Sequence, residues 1–339
     1  MILIVSWPED DHAGAVRREL ARLGLEATVL DLSRFPQRLR LAVEYQGRRR
    51  RYQVTDGETD LDLQRFRVVW WRRPQQFALH PEIAEGPHAT FAYTEASEAF
   101  GGMWQCLDAT WINHPARDEA AGRKVYQLRV AQAVGLDIPE TLITNDAERA
   151  RRFVDARGAA RVAYKSFLPS AVEWRETRIL RPEEVEQMEA VRYAPVIFQE
   201  YVPPAVDLRI TVVGHDIFAT AIHSAEAAYQ ADYRMDLGTV RVEPFALPDE
   251  VRSRLRRLMG QLDLVYGAID MRLDPDGRYV FFEVNPAGQW LFVEERTGQP
   301  ITPAFARLLA AHADRRPGTV PAPHHDGASA PVRVAPGEA

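Results

Sequence analysis

The segment that most constrains this 339-residue chain lies toward its C-terminal end. It reads Tyr266-Gly-Ala-Ile-Asp270-Met-Arg272-Leu-Asp274, then Pro275-Asp-Gly277, then Tyr279-Val-Phe-Phe-Glu283-Val-Asn285-Pro286-Ala-Gly288. Two strand-like runs joined by an Asp-Gly turn predict a hairpin, and alternation of side chains lets Asp270, Glu283 and Asn285 converge on one face. Two hard carboxylates and a neutral oxygen, with no His or Cys beside them, suit magnesium carried in with nucleotide phosphates rather than zinc or a redox metal. The plainer reading is a surface hairpin with ordinary polar residues. Against it, Glu283 stands among Val280, Phe281, Phe282 and Val284, where an unpaired carboxylate is costly to bury.

Around that hairpin the pattern is α/β followed by α+β. Met1–Val5 reads as a buried parallel strand, His12–Leu23 as an amphipathic helix ended by Gly24, and Glu26–Leu30 as a second strand. Residues 41–46 and 48–54 alternate around Gly47 as a hairpin, Phe66–Trp71 is a further strand, and 88–108 carries a helical pattern that Trp111-Ile112-Asn113-His114-Pro115 breaks. Beyond it one helix is expected over Glu119–Val134, strands at 141–144, 162–165, 195–202, 208–213 and 217–222, and helices at 146–157, 182–191, 248–263 and 303–313. The expected domains are residues 1–113, 114–196 and 197–313. The Pro/Ala/Gly/Ser-rich stretch 314–339 is expected to be a disordered tail.

Composition narrows the function classes. A chain 46% hydrophobic and 27% charged can bury a large core, its net charge of −6 gives no basic field for nucleic acid, and no apolar stretch nears the roughly 18–20 residues of a membrane span. Cys106 is the single cysteine, which excludes an internal disulfide, and the start of the chain does not read as a signal peptide. A cytoplasmic protein is expected.

Asp270, Glu283-x-Asn285 and the following Pro286-Ala-Gly288 resemble the metal-binding signature of the ATP-grasp superfamily, and the resemblance extends over about 114–313. Asn113-x-Pro115 with Lys124, and Gly135-Leu-x-Ile138-Pro139-x-Thr141 after it, is similar to the segment whose lysine contacts the ATP phosphates; Lys165 matches the second nucleotide lysine. Two ammonium groups suit a polyanionic triphosphate. The resemblance implies that Gln199, Glu200, Tyr201 and Val202 form the hinge whose backbone meets adenine, that Asp207 holds the ribose, and that Arg209 and Arg234 reach the transferring phosphate together with Lys165. It implies ATP and Mg²⁺ as cofactors. One departure stands out: residues 166–181 contain no glycine where many superfamily members carry a glycine-rich phosphate lid, leaving Ser166, Ser170, Thr177 and Arg178 as alternative donors.

Trp70-Trp71-Arg72-Arg73-Pro74 and Asn285-Pro-Ala-Gly-Gln-Trp290 look like the microviridin-type graspetide synthetases, in which an ATP-grasp enzyme cross-links side chains of a ribosomally made precursor peptide. That resemblance implies a leader-bearing precursor with an acidic core and Ser, Thr or Lys acceptors, with Arg72 and Arg73 as candidate core-binding residues and a homodimer as an expectation by analogy. The tryptophans read equally well as core residues, and the Arg48–Arg51 run, which could serve as an acidic-peptide patch, reads more plainly as a solvated hairpin. Two other readings stay open: a glutamate-adding ligase with the same ATP site, and a non-catalytic scaffold that binds nucleotide or peptide.

Overall fold

The computed structural model describes residues 1–167, 177–224, 238 and 240–313. β1 (Ile2–Val5) is buried along its whole length, as a parallel strand covered on both faces must be. α1 (Asp11–Arg22) is capped by Asp10, whose carboxylate accepts the His12 amide, and buries Ala13, Val16 and Leu20 before β2 (Ala27–Leu30) returns parallel to β1. β3 (Leu39–Gln46), β4 (Arg49–Asp56) and β5 (Thr59–Asp62) form a separate antiparallel sheet, so the expected hairpin gains a third strand. β6 (Val68–Trp71) pairs with β1; after α2 (Gly86–Gln105), β7 (Thr110–Ile112) completes the parallel order β2-β1-β6-β7. Trp111-Ile112, past the end of α2, is therefore an edge strand as well as a break in the helical pattern, and three residues are too few to show alternation.

α3 (Pro115–Gly122) and α4 (Lys124–Ala133) replace the single helix expected over 119–134. Arg123 separates them with an extended backbone, φ −75° and ψ 106°, so Lys124 opens a helix instead of sitting inside one. A second sheet, ordered β10-β9-β11-β8, is built from β8 (Thr141–Thr144), α5 (Ala147–Asp155), β9 (Val162–Lys165), β10 (Arg178–Ile179), α6 (Pro182–Val185) and β11 (Val196–Glu200). The helix expected over 182–191 is only this one turn followed by the 3-10 stretch Met188–Tyr193. β11 pairs with β8 and β9, so Val196–Glu200 belongs to this second sheet.

The third sheet, ordered β14-β13-β12-β15-β16, comes from β12 (Val206–Val213), β13 (Asp216–Ile222), β14 (Val242–Pro244), β15 (Tyr266–Leu273) and β16 (Tyr279–Asn285), with α7 (Asp249–Leu262) between β14 and β15. Its core takes Leu208, Ile210, Leu255, Leu258 and Ile269 together with Ala121, Val130 and Ala131 of α3 and α4, so those two helices share a core with this sheet and not with the second. α8 (Leu291–Thr297) and α9 (Ile301–Ala313) run back to the first sheet: Trp290 and Phe305 pack with Ile2, Ile4 and Trp70, and Tyr266 of the third sheet joins them. The expected tail at 314–339 lies outside the described residues, as do Arg234 and Ser170.

Candidate active site

On the β15–β16 hairpin Asp270 faces Glu283 and Ala268 faces Asn285, and a bulge shifts the register between Asp270 and Met271. Asp270, Glu283 and Asn285 thus share a face. One strand over, β12 sets Arg209 opposite Asp270 and Asp207 opposite Arg272, giving two cross-strand ion pairs of reversed polarity. Arg209 Nη1 donates to both Asp270 oxygens at 2.9 and 3.0 Å, and its Nη2 donates to the Gln289 carbonyl at 2.8 Å. Lys124 Nζ, at the first residue of α4, pairs with the Glu283 carboxylate. The helix break at Arg123 is what brings this lysine to the hairpin.

Both carboxylates therefore meet cations on a partly exposed face, where a divalent ion would take over the same charge. The donor chemistry fits magnesium: oxygen atoms alone, two of them anionic groups, with the Asn285 Oδ1 turned to accept the Ala287 amide at 3.0 Å. Among the described residues no group of three or more His, Cys, Asp or Glu forms a metal cage. A metal that keeps its phosphate ligands needs only one or two protein carboxylates.

Lys165 ends β9 on the second sheet, opposite Ile197 of β11, while Val162 at the other end of β9 faces Glu200. Strand rise places it roughly 10 Å from the hinge end. In the hinge the Gln199 side chain donates to Thr141 Oγ1 at 3.0 Å, the Glu200 amide donates to the Glu140 carbonyl at 2.8 Å, and the Tyr201 amide donates to the Arg161 carbonyl at 2.8 Å. These donors are already engaged within the protein, so they do not read adenine in this arrangement.

Two sequence assignments need correction. Asp207, expected at the ribose, is 3% exposed and its two oxygens accept from Arg272 Nε and Nη2 at 2.7 and 2.9 Å; Arg272 Nη1 goes on to the Val202 carbonyl at 2.7 Å. Its carboxylate tethers β12 to β15 and to the hinge. Arg72, expected on the core peptide, is 1% exposed. Its Nε lies 3.2 Å from Asp10, its Nη1 donates to the Ala287 carbonyl at 2.5 Å, and its guanidinium stands 5.9 and 5.7 Å from the Trp70 and Trp290 rings. Arg73 stays exposed, 5.9 Å from the Trp7 ring. The two tryptophan motifs, more than two hundred residues apart, meet each other in the fold.

Sequence reasoning missed how tightly the loop after Asn285 is held. Arg72 takes the Ala287 carbonyl, Tyr266 Oη donates to the Gly288 carbonyl at 2.6 Å, Arg209 takes the Gln289 carbonyl, and His12 Nε2 accepts the Trp290 and Leu291 amides at 3.0 and 3.3 Å. Burial and the nearby Arg72 guanidinium lower the His12 pKa to about 3, which keeps the ring neutral as an acceptor must be. Burial raises the Tyr266 hydroxyl far above its usual range, so it remains a donor. Asn113 fixes the base of the same loop: Nδ2 donates to the Tyr266 and Pro286 carbonyls at 2.9 and 3.2 Å, and Oδ1 accepts the Val265 and Tyr266 amides at 2.8 and 3.0 Å. The Asn-x-Pro spacing marked Asn113, whereas nothing local marked His12 or Tyr266.

Two sheets meeting at a hinge, a carboxylate-bearing hairpin answered by a lysine and an arginine, and a parallel sheet in front define an ATP-grasp ligase. Residues 1–119 match the family model described as the MvdD pre-ATP grasp domain. The structure is similar to macrocyclase MdnC bound with precursor peptide MdnA from Microcystis aeruginosa MRC, at 31% identity and TM-score 0.82, covering 91% of this chain and 99% of that one. It is similar also to a Chryseobacterium gregarium RiPP-associated ATP-grasp ligase in complex with ADP and a leader and core peptide, at 26% identity and TM-score 0.84, covering 94% and 99%. A third similar structure is ATP-grasp ligase PsnB complexed with minimal precursor, Mg and ADP, at 25% identity and TM-score 0.75, covering 93% and 98%. No curated protein matches. This chain belongs to the ATP-grasp macrocyclases of ribosomally made peptides.

Proposed function

We propose that this protein is an ATP- and magnesium-dependent macrocyclase that forms side-chain ester or amide cross-links in a precursor peptide carrying a leader and a core. Mg–ATP, when bound, supplies the phosphoryl group that activates a carboxylate for attack by a hydroxyl or amine. The observation that carries this reading is the ionic array of Lys124, Glu283, Asp270 and Arg209 on one face of the third sheet.

In that array Asp270, Glu283 and Asn285 would hold the magnesium ion. Lys124 and Lys165, one from each side of the cleft, hold phosphates as point charges. Arg209 orients Asp270 while tying it to the Gln289 carbonyl, and it stands ready to offset charge on the transferring group. The hinge at Glu200–Val202 bounds the adenine end. Arg73, exposed where β6 ends, meets the acidic core peptide. Arg234 keeps its proposed phosphate role on sequence grounds, since it lies outside the described residues. No helix among the described residues is long and apolar enough to cross a membrane, and we infer a cytoplasmic enzyme.

The test is mass spectrometry of a precursor incubated with the protein, ATP and Mg²⁺. One water is lost per cross-link, and the loss vanishes with Glu283→Gln, which removes a ligand charge at nearly constant volume and leaves the fold intact. A gain equal to an amino-acid residue would instead identify a glutamate-adding ligase, and unchanged dehydration by Glu283→Gln would remove Glu283 from the metal site.

A further inference from the structure

The segment Pro286–Trp290 follows the metal-ligand candidate Asn285 and is gripped along its backbone. Arg72 and His12 reach it from the side of the first sheet, Tyr266 and Arg209 from the third. Between them they occupy the carbonyls of residues 287, 288 and 289 and the amides of 290 and 291. A loop held this firmly can offer a ligand a side chain at a fixed position, and Gln289 carries the one polar side chain between Asn285 and Trp290.

The packing of its neighbours decides where that side chain points. Gly288 rests so closely on β15 that a Cβ there would stand 2.3 Å from the Ala268 methyl. Ala268 lies two residues before Asp270 on the same strand, so the loop crosses the sheet face on which Asp270 stands. Gly288 is buried against that face, and Trp290 is 0% exposed, packed with Trp70 and Phe305. Gln289, between them, is exposed. Its side chain therefore turns away from the sheet, to the open side of the face that carries Asp270 and Glu283. Its carbonyl is fixed by the same Arg209 that holds Asp270, while among the described residues its carboxamide makes no hydrogen bond. Phe292, partly buried, has its ring 6.0 Å from the Arg209 guanidinium and supplies an apolar surface beside it.

We propose, resting on the macrocyclase reading above, that Gln289 binds the core-peptide side-chain carboxylate that is to be activated, its Nε2 donating to one carboxylate oxygen beside the metal site. The residue type suits the place. An acidic side chain here would repel the incoming carboxylate, and a basic one would be drawn to Asp270 and Glu283 and compete with the metal for them. A carboxamide donates two N–H groups with neither cost. The clamp on residues 287–291 fixes the backbone beforehand, so little order is lost when the substrate docks, and a donor held in place orients the reacting oxygen.

The experiment follows precursor dehydration by mass spectrometry at varied precursor and varied ATP, for the wild type, Gln289→Ala and Gln289→Glu. Expected in Gln289→Ala is a half-saturating precursor concentration raised about tenfold or more, as for the loss of one hydrogen bond to a charged group, with half-saturating ATP and the thermal midpoint unchanged. Gln289→Glu is worse than Gln289→Ala, because its carboxylate faces that of the substrate. Hydroxylamine added to the reaction traps the activated carboxylate as a hydroxamate before any acceptor is used, and the same rise in precursor requirement is expected there. An unchanged precursor dependence in Gln289→Ala, an equal rise for ATP, or a fallen thermal midpoint would overturn the proposal. So would a defect seen in cross-linking and absent from hydroxamate formation, which would put Gln289 on the acceptor. A wild type that removes no water from the precursor would sink the macrocyclase reading and this inference with it, whereas an active wild type matched by Gln289→Ala sinks the inference alone.

Discussion

Arg272→Met separates the two roles available to Asp207. In the folded chain both Asp207 oxygens depend on Arg272, the pair is 3% and 4% exposed, and the same guanidinium holds the Val202 carbonyl. Removing the arginine strands a carboxylate in a nearly dry site, a loss of about 3–5 kcal/mol for a broken buried pair. The pair spans β12 and β15, whose eight-residue ladder is central to the third sheet, so the loss falls on that sheet's unfolding. Urea denaturation followed by far-ultraviolet circular dichroism would then show the midpoint falling by about 1 M or more. Replacing Asp207 by Leu in the Arg272→Met background removes the stranded charge and recovers most of the midpoint. Asp207→Asn alone lowers stability more than it lowers ATP affinity. If Arg272→Met left the midpoint unmoved, or Asp207→Asn weakened ATP binding tenfold at unchanged stability, the tether would be refuted and the ribose role restored.

Two further outcomes follow from the clamped loop. His12 has a folded pKa of about 3 against 6.5 unfolded, so between those values unfolding takes up a proton; stability rises with pH across the window, by up to about 1.4 kcal/mol per pH unit from this group, and is flat above it. Denaturation at pH 4 to 6 should show that slope reduced by one proton in His12→Gln, and an unchanged slope would mean that the ring titrates normally. At Gly288 a Cβ would overlap the Ala268 methyl and come within 3.0 Å of Arg209 Nη2. Gly288→Ala should push the loop off β15 and lower precursor dehydration by about tenfold or more with the chain still folded, since sub-ångström displacement of a positioned group is costly to catalysis; wild-type turnover would show that the close approach is dispensable.

Much of the site was legible because its signals are local. The hairpin bearing Asp270, Glu283 and Asn285 showed itself through period-two alternation and an Asp-Gly turn, and β1, β8, β9 and β12 fell close to where apolar runs placed them. Lys124 was identified by motif, yet its reach to Glu283 depends on the helix break at Arg123, and a residue with ordinary backbone angles between two helical stretches leaves no compositional trace. β7, three residues long, and the 3-10 turn at Met188–Tyr193 are held by their neighbours rather than by their own propensity.

The sequence by itself determined the class of this protein, because oxygen ligands for a metal, two lysines in order, and a hinge are chemical requirements written as residue types at fixed spacing. Only the tertiary structure decided which polar residues face the cleft and which hold it together. Arg72 and Asp207 carry the charges a ligand site would use, but burial commits one to Asp10 and the Ala287 carbonyl and the other to Arg272. A charged side chain's role follows from the cost of leaving water, and that cost is set by neighbours far away in the chain.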